Sequence, residues 1–216
     1  MRLEPPDVRA RSALLPLVPF LLLAGLMAGG WGPVHTVDRW VTARLHEAAL
    51  ASPHLTTVMT WLTHLLQPNV FRLAALALAI WLLRRGARRT AAWVAVTMIA
   101  GGLLGALLKL LFTRARPEFP DPVSWAAGYA FPSGHALNAV IGTAVFAVLF
   151  RRLWLLWVIP PLVAFTRVVL GVHWTSDVLA GMLLGAAVVL LTLRFFQPLS
   201  VGTRRAGYRG GPADLG

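Results

Sequence analysis

The chain has 216 residues, 57% of them hydrophobic and 13% charged, with a mean hydropathy of +0.69. Soluble domains carry about 25% charged residues, so this composition argues against a soluble enzyme and for a membrane protein. The net charge of +12 does not signal nucleic acid, because most arginines lie in short clusters between apolar runs and not along one face of a soluble domain. With no cysteine there is no disulfide, no thiolate metal site and no Cys nucleophile.

Residues 1–12 form a polar tail with Arg2, Arg9 and Arg11. The apolar run at 13–30 is close to the roughly 20 residues a spanning helix needs. Basic residues ahead of it also fit a signal peptide. No A-x-A site follows, however, and the alternation of charge along the chain needs a first crossing here, so it is read as a retained helix. In 31–53, Val37, Trp40, Val41 and Leu45 recur at helical spacing. They predict an amphipathic helix at the interface, with Asp38, Arg39, Arg44 and Glu47 on its wet side.

His54 to Leu83 is a second membrane element, interrupted at Gln67-Pro68-Asn69, where Pro68 predicts a kink. After the basic turn Arg84-Arg85-Gly86-Ala87-Arg88-Arg89, a third span runs from Ala91 to Phe112, and its Gly101, Gly102 and Gly105 allow close helix packing. A Pro-containing loop occupies 113–134. Further spans follow at 136–150, at 153–170 with a bend at Pro160-Pro161, and at 178–196. Nine tryptophans fit interfacial anchoring. The arginines at 2, 9 and 11, at 84–89, at 151–152 and at 194–209 fall at alternate ends of the runs. The positive-inside rule then predicts an all-α, six-span bundle over 13–196, with both tails (1–12 and 197–216) cytoplasmic. The loops carrying Arg116, His135 and His173 share the opposite face.

Polar chemistry collects at that face. Lys109, the one lysine among twenty basic residues, and Arg116 and Arg167 sit against the charge bias, at or near helix ends. Such cations either snorkel to the headgroups or mark a site. Their convergence near two histidines favours an anion site, with Arg gripping phosphate oxygens in a planar fork and Lys acting as a point charge. In Pro132-Ser133-Gly134-His135, Ser133 suits a helix cap and Gly134 lets backbone approach a ligand. The helix start would then aim free N–H groups at a phosphate. His173 and Asp177 are four apart, so on a helix the carboxylate reaches the imidazole. A helix cap, a His–Asp nucleophile pair and metal ligation are all open to this pair, although the surrounding cations oppose a metal. His35, His46, His54 and His64 are read as packing or interface residues. Trp125 and Trp174 fall near enough to touch a lipid.

At these residues the sequence resembles the type 2 phosphatidic acid phosphatase superfamily, integral-membrane enzymes whose site resembles that of vanadium haloperoxidases. The family's blocks K-x6-R-P, P-S-G-H and S-R-x5-H-x3-D stand here as Lys109 to Arg116-Pro117, Pro132-Ser133-Gly134-His135, and Thr166-Arg167 through His173 to Asp177. The one departure is Thr166 for Ser, which keeps the hydroxyl. The resemblance implies a dephosphorylation that needs no metal or other cofactor. In it His173 attacks phosphorus to give a phosphohistidine, aided by Asp177. His135 protonates the leaving oxygen and later activates water. Lys109, Arg116, Ser133, Gly134 and Arg167 hold the phosphoryl oxygens. Arg114 lies outside the family pattern and is expected only to add positive field.

The resemblance also implies a bacterial inner-membrane location, and the charge bias puts the site on the extracytoplasmic side. The partner is then a lipid phosphate in the bilayer. Undecaprenyl pyrophosphate is the favoured substrate, because its pyrophosphate is exposed on that face; phosphatidylglycerophosphate or phosphatidate comes second. From another class stands a catalytically silent lipid-phosphate binding or transport protein, and a phosphotransferase passing the group to another acceptor is a further reading.

Overall fold

The computed structural model describes residues 10–196, all of whose regular structure is helical. Residues 1–9 of the expected N-terminal tail, and all of the C-terminal tail with Arg204, Arg205 and Arg209, lie outside the described residues. Eight α-helices follow in chain order: α1 (Leu14–Ala28), α2 (Gly32–Ala51), α3 (Pro53–Leu65), α4 (Pro68–Arg84), α5 (Arg88–Phe112), α6 (Gly134–Leu149), α7 (Ile159–Val169) and α8 (Thr175–Phe195). Prolines start several of them, where a missing N–H costs nothing: Pro53 opens α3 and Pro68 opens α4. Ser52 caps α3 by accepting from the Leu55 N–H at 3.3 Å. The expected interruption at Gln67-Pro68 is the α3–α4 break. The expected bend near Pro160 is a change of helix type, from a 3-10 stretch (Arg151–Val158) to α7.

Among the described residues four segments are long and apolar enough to cross a membrane: Pro53–Arg84, Arg88–Phe112, Arg152–Val169 and Thr175–Phe195. The α1–α2 pair, bent by 94°, makes a fifth where the two helices are counted as one broken span. The remaining expected span, the fourth in chain order at 136–150, corresponds to α6, at 16 residues shorter than these. α6 is the axis of the bundle, with α4, α5, α7 and α8 packed around it. Ala136 through Val145 are buried without a break. Glycines let the neighbours approach. Gly101 and Gly105 of α5 face Ile141 and Leu137, Gly142 of α6 takes the Phe71 ring, and Gly181 and Gly185 of α8 face the α6 backbone. Gly102, expected to share this role, has no atom within 4 Å of its missing Cβ and faces outward.

Phe20, Ala24 and Met27 of α1 join the main core with Trp93, Leu137, Ile141 and Leu184. Trp93 departs from the interfacial reading: it is fully buried, and its indole donates to Thr192 Oγ1 at 3.3 Å, which also meets Thr97 Oγ1 at 2.8 Å. A belt of exposed Leu, Ile, Val and Trp covers the outside, as a lipid-facing surface requires.

A cluster of arginines gathers where α4, α5 and α8 meet. Arg84, Arg85 and Arg88 flank the α4–α5 turn, and Arg89 Nε donates to the Phe196 carbonyl at 2.7 Å, which ties the start of α5 to the end of α8. Lys109 lies in the last turn of α5, at the other end of that helix.

One expectation about α2 is corrected. Asp38, placed on the wet side from the sequence, is 2% exposed, and the buried stripe of α2 is Asp38, Thr42, His46 and Ala49, while Val37 and Trp40 point outward. In a bundle with an apolar outer surface, the polar face of a helix can be the inward one, provided partners meet it. Arg39, Arg44 and Glu47 are exposed as expected, with Arg44 and Glu47 paired at 3.1 Å.

Candidate active site

Three chain segments deliver the three sequence blocks to one place. The first is the end of α5 and the loop after it. Thr113 adopts a left-handed φ of +43° as the α5 cap, turning the chain into the loop that carries Arg114 and Arg116. Lys109 Nζ donates to the Tyr129 carbonyl at 2.5 Å. Arg116 is held by the same loop returning, where Nε donates to Gly128 O and Nη2 to Ala127 O, each at 2.9 Å, and by the α7–α8 connection, where Nη1 donates to Val172 O at 2.5 Å.

The second segment is the start of α6. Ser133 occupies the N-cap position, but its side chain makes no capping bond, contrary to the sequence expectation. Its N–H instead donates to the Asp177 carbonyl at 2.9 Å, joining α6 to α8. Its hydroxyl is buried without a partner. His135 lies half-buried in the first turn.

The third segment is the α7–α8 connection. Arg167 is 6% exposed; Nη1 donates to Thr63 Oγ1 at 2.8 Å, while Nε is buried and unpartnered. Gly171, at φ +67°, makes the turn that brings the Val172 and His173 N–H groups back to the Arg167 carbonyl. A Cβ there would press on Phe119 and His46, so only glycine fits both the angle and the space. Thr166 keeps its hydroxyl on the Val163 carbonyl at 2.8 Å, inside the helix.

His173 and Asp177 do meet, though not as two residues of one helix. α8 begins at Thr175, so His173 sits in the loop and Asp177 in the first turn. Asp177 Oδ2 accepts from the Trp174 N–H at 2.8 Å and lies 3.4 Å from His173 Nδ1. It therefore caps the helix and orients the ring together. Arg116 Nη1 stands 3.2 Å from His173 Nε2. A guanidinium can only donate, so Nε2 is the acceptor and Nδ1 carries the hydrogen turned to Asp177.

The ring is nearly inaccessible at 2% exposure. Burial, then the charges of Arg116, Arg167 and Lys109, hold His173 well below the ordinary imidazole value, and the Ala130 carbonyl pulls weakly the other way. Its neutral form is the resting form. Ser133 Oγ and Arg167 Nε, both buried without a partner, and the clustered cations Lys109, Arg116 and Arg167 form a donor set that suits an anion with several oxygens.

Sequence reasoning missed three participants. Arg114, expected only to supply field, donates from Nη1 to Asp177 Oδ1 at 2.6 Å and from Nη2 to Asp38 Oδ2 at 2.6 Å. Asp38 also accepts from the Ser176 N–H and hydroxyl, at 2.8 and 2.5 Å. The signal that would have found Asp38 is the polar stripe Asp38, Thr42, His46 at i, i+4, i+8, although the stripe does not say what it faces. Trp174, read as a lipid contact, is anchored through Nε1 to Ala115 O at 2.9 Å and has Arg114 over its ring. Trp125 is 83% exposed and borders a cavity of about 540 Å³ that also reaches Arg116, His46 and Gly171. His46 packs as expected, stacked on Phe119 with centroids 3.8 Å apart and bonded to Asp121 O at 3.0 Å.

Comparison with known proteins bears on the same residues. Residues 90–200 match the model of the PAP2 superfamily. A lipid A 1-phosphatase of Rhizobium johnstonii is 37% identical over 49% of this chain and 47% of its own length. The chain thus spans about half the length of that relative. Phosphatidylglycerophosphatase B of Bacillus subtilis is 33% identical over 69% of this chain and 79% of its own. The crystal structure of a transmembrane PAP2-type phosphatidylglycerolphosphate phosphatase from Bacillus subtilis superposes with a TM-score of 0.71 at 27% identity, covering 86% of this chain and 96% of that one. With all three motif blocks inside or abutting the matched region and meeting in space, the chain belongs to the PAP2 superfamily.

Proposed function

We propose that this chain is a membrane lipid phosphatase that works through His173. The observation that carries the reading is the line Asp177–His173–Arg116: a buried carboxylate 3.4 Å behind Nδ1, a neutral Nε2, and a guanidinium 3.2 Å in front of it. A phosphoryl group entering here takes the Arg116 donor onto an oxygen and meets the freed Nε2 lone pair at phosphorus. Nε2 forms a bond to phosphorus as the bond to the leaving oxygen breaks, and His135 supplies that oxygen with a proton. Water, deprotonated by His135, then attacks phosphorus, and the N–P bond breaks to release phosphate and restore the imidazole. Asp177 supports the positive charge on the ring throughout. Lys109, Arg116, Arg167, the Ser133 hydroxyl and the backbone at Gly134 receive the three equatorial oxygens.

The six-span arrangement, with the site on the extracytoplasmic face and the basic end in the cytoplasm of a bacterial inner membrane, is the reading that the arginine clusters support. A site at the rim of a lipid-facing bundle suits a substrate whose tail stays in the bilayer. Undecaprenyl pyrophosphate remains the favoured substrate, supported by an undecaprenyl-diphosphatase of Sulfolobus acidocaldarius at 30% identity over 60% of its length. Phosphatidylglycerophosphate is the second reading, favoured by the Bacillus subtilis relative and its fold. The test is phosphate release by the detergent-purified chain from undecaprenyl pyrophosphate, phosphatidylglycerophosphate and phosphatidate, with EDTA present. Release that survives EDTA supports the histidine route, and the ranking of the three names the substrate. Release lost with EDTA returns the site to metal chemistry, and no release by folded protein returns it to lipid-phosphate binding.

The neutral state of His173 gives a pH signature. Its value is lowered, so as pH falls through about 6.5 the ring is still unprotonated and still nucleophilic. The acid limb that His173 contributes to kcat/KM therefore lies well below that pH. Arg116→Gln removes the leading charge behind the shift and leaves burial in place. In that variant the acid limb moves up toward 6.5, alongside a lower maximum. An acid limb that stays put in the variant would show that Arg116 does not act on the nucleophile.

A further inference from the structure

We propose that Arg114 and Asp38 are positioning residues for the nucleophilic ring: they fix the Asp177 carboxylate from behind, so that one chosen oxygen stays turned to His173. The inference rests on the proposed role of His173 and extends it to two residues that no motif block specifies.

A carboxylate beside an imidazole has two equivalent oxygens and a soft rotation about its terminal bond. Left alone it offers either oxygen and loses orientation. Here the two oxygens have different duties. Oδ1 receives the Arg114 Nη1 hydrogen at 2.6 Å, and Oδ2 takes the Trp174 N–H at 2.8 Å and faces His173 Nδ1. Since the guanidinium only donates, Oδ1 is kept as an acceptor and the plane of the carboxylate is set from both sides.

Arg114 needs its own anchor, because a long side chain leaving a loop has many rotamers. Asp38 supplies it, taking Nη2 at 2.6 Å. Asp38 is fixed in turn by the first turn of α8, where the Ser176 N–H and hydroxyl donate to it at 2.8 and 2.5 Å. Ser176 Oγ also stands 2.7 Å from Arg114 Nη1. The circuit closes on itself: α8 holds Asp38 of α2, Asp38 holds Arg114, and Arg114 holds Asp177 of α8. Asp177 and Asp38 are 0% and 2% exposed and Arg114 is 10% exposed. In such a buried position a pair of this geometry is strong and rigid.

A circuit that merely pins α2 to α8 has the same hydrogen bonds, so the test needs a readout that pinning does not move. Arg114→Gln, Arg114→Lys and Asp38→Asn are made in the full chain and compared with wild type and His173→Ala. Two measurements are taken in detergent: phosphate release from undecaprenyl pyrophosphate and from phosphatidylglycerophosphate, and the ring-nitrogen NMR spectrum of ¹⁵N-histidine-labelled protein, with the His173 signals assigned by their loss in His173→Ala. Positioning predicts that Arg114→Gln lowers kcat about 10- to 100-fold with KM within about twofold, the cost of a misplaced catalytic group. It also predicts that the His173 signal leaves the single Nδ1–H form for a mixture of tautomers. Arg114→Lys, which restores one donor, recovers part of each change. Asp38→Asn gives the same pattern at smaller size.

A lower melting temperature with kcat per folded molecule and the His173 signal both unchanged overturns the proposal and leaves a structural pin. If Arg114→Gln does not fold, Asp38→Asn and Ser176→Ala carry the decision by the same two readouts, since each removes less of the circuit. Full activity in His173→Ala defeats the proposed function; a tautomer shift in Arg114→Gln would then still establish the positioning of His173. The two failures are distinguishable.

Discussion

His173→Ala ends phosphate release, by about 10⁴-fold or more, because the nucleophile and the atom it attacks with are gone together. His135→Ala has a smaller and different effect. Loss of a general acid–base group costs about 10²- to 10⁴-fold, and the loss depends on how much help the leaving group needs. With p-nitrophenyl phosphate, whose phenolate leaves unaided, His135→Ala recovers much of the first step, whereas His173→Ala recovers nothing. A further distinction follows from the two-step route. In His135→Ala the activated substrate loads Nε2 faster than water clears it, so labelled phosphate accumulates on the protein in acid-labile form. The idea fails if His173→Ala hydrolyses either substrate at the wild-type rate, or if the label in His135→Ala sits on a residue other than His173.

The two roles are what the family resemblance implies; what spacing itself made legible is where the polar blocks lie. Lys109 to Arg116, Ser133 to His135 and Arg167 to Asp177 are short-range patterns, and each lies where an apolar run gives way to polar residues, so the pattern and its place in the bundle were read together. The helical breaks were also legible, since Pro68 and Pro160 act on their own neighbours. The partners of Asp38 were not. Asp38 lies 76 residues from Arg114 and 138 from Ser176, and nothing local in α2 distinguishes a polar face turned to water from one turned to a buried arginine. The i, i+4 spacing of His173 and Asp177 was read through helical geometry, yet the contact is made across a helix start. The correct pair came from a partly wrong local picture, because a capping carboxylate and the residue just ahead of the helix are neighbours too. Ser133 shows the converse: its type and position fit a cap, but its hydroxyl makes no capping bond and its N–H is tied to Asp177 of α8.

Gly181→Ala, one methyl group added outside all three motif blocks, lowers both stability and turnover. The added Cβ would lie 2.4 Å from the Ser133 carbonyl oxygen, with Ala136 Cβ at 3.2 Å and the Leu137 nitrogen at 3.3 Å. A side chain could swing aside, but a backbone oxygen cannot. This one accepts the Leu137 N–H at 3.1 Å, and the Ser133 N–H is tied to the Asp177 carbonyl at 2.9 Å. The start of α6 must therefore move as a unit away from α8, taking Ser133, Gly134 and His135 from the ring of His173. Overpacking of this kind costs about 1–3 kcal/mol of stability, and a displacement approaching 1 Å costs on the order of 10²-fold in rate. Two neighbours calibrate the effect. Gly185→Ala meets Leu137 O at 2.9 Å and Val140 Cβ at 3.0 Å, one turn deeper in the bundle; it lowers the melting temperature with a smaller loss of kcat. Gly102→Ala meets nothing within 4 Å and leaves both unchanged. The measurements are thermal unfolding in detergent and kcat per folded molecule. If Gly181→Ala matches Gly102→Ala in both, the close approach of α8 to α6 does not set the geometry of the site. The predicted order is Gly181 above Gly185 above Gly102 in lost turnover. That order follows from distance to the Ser133 carbonyl, because the α6–α8 contact is also the one that ties the start of α6, with His135, to the Asp177 carbonyl.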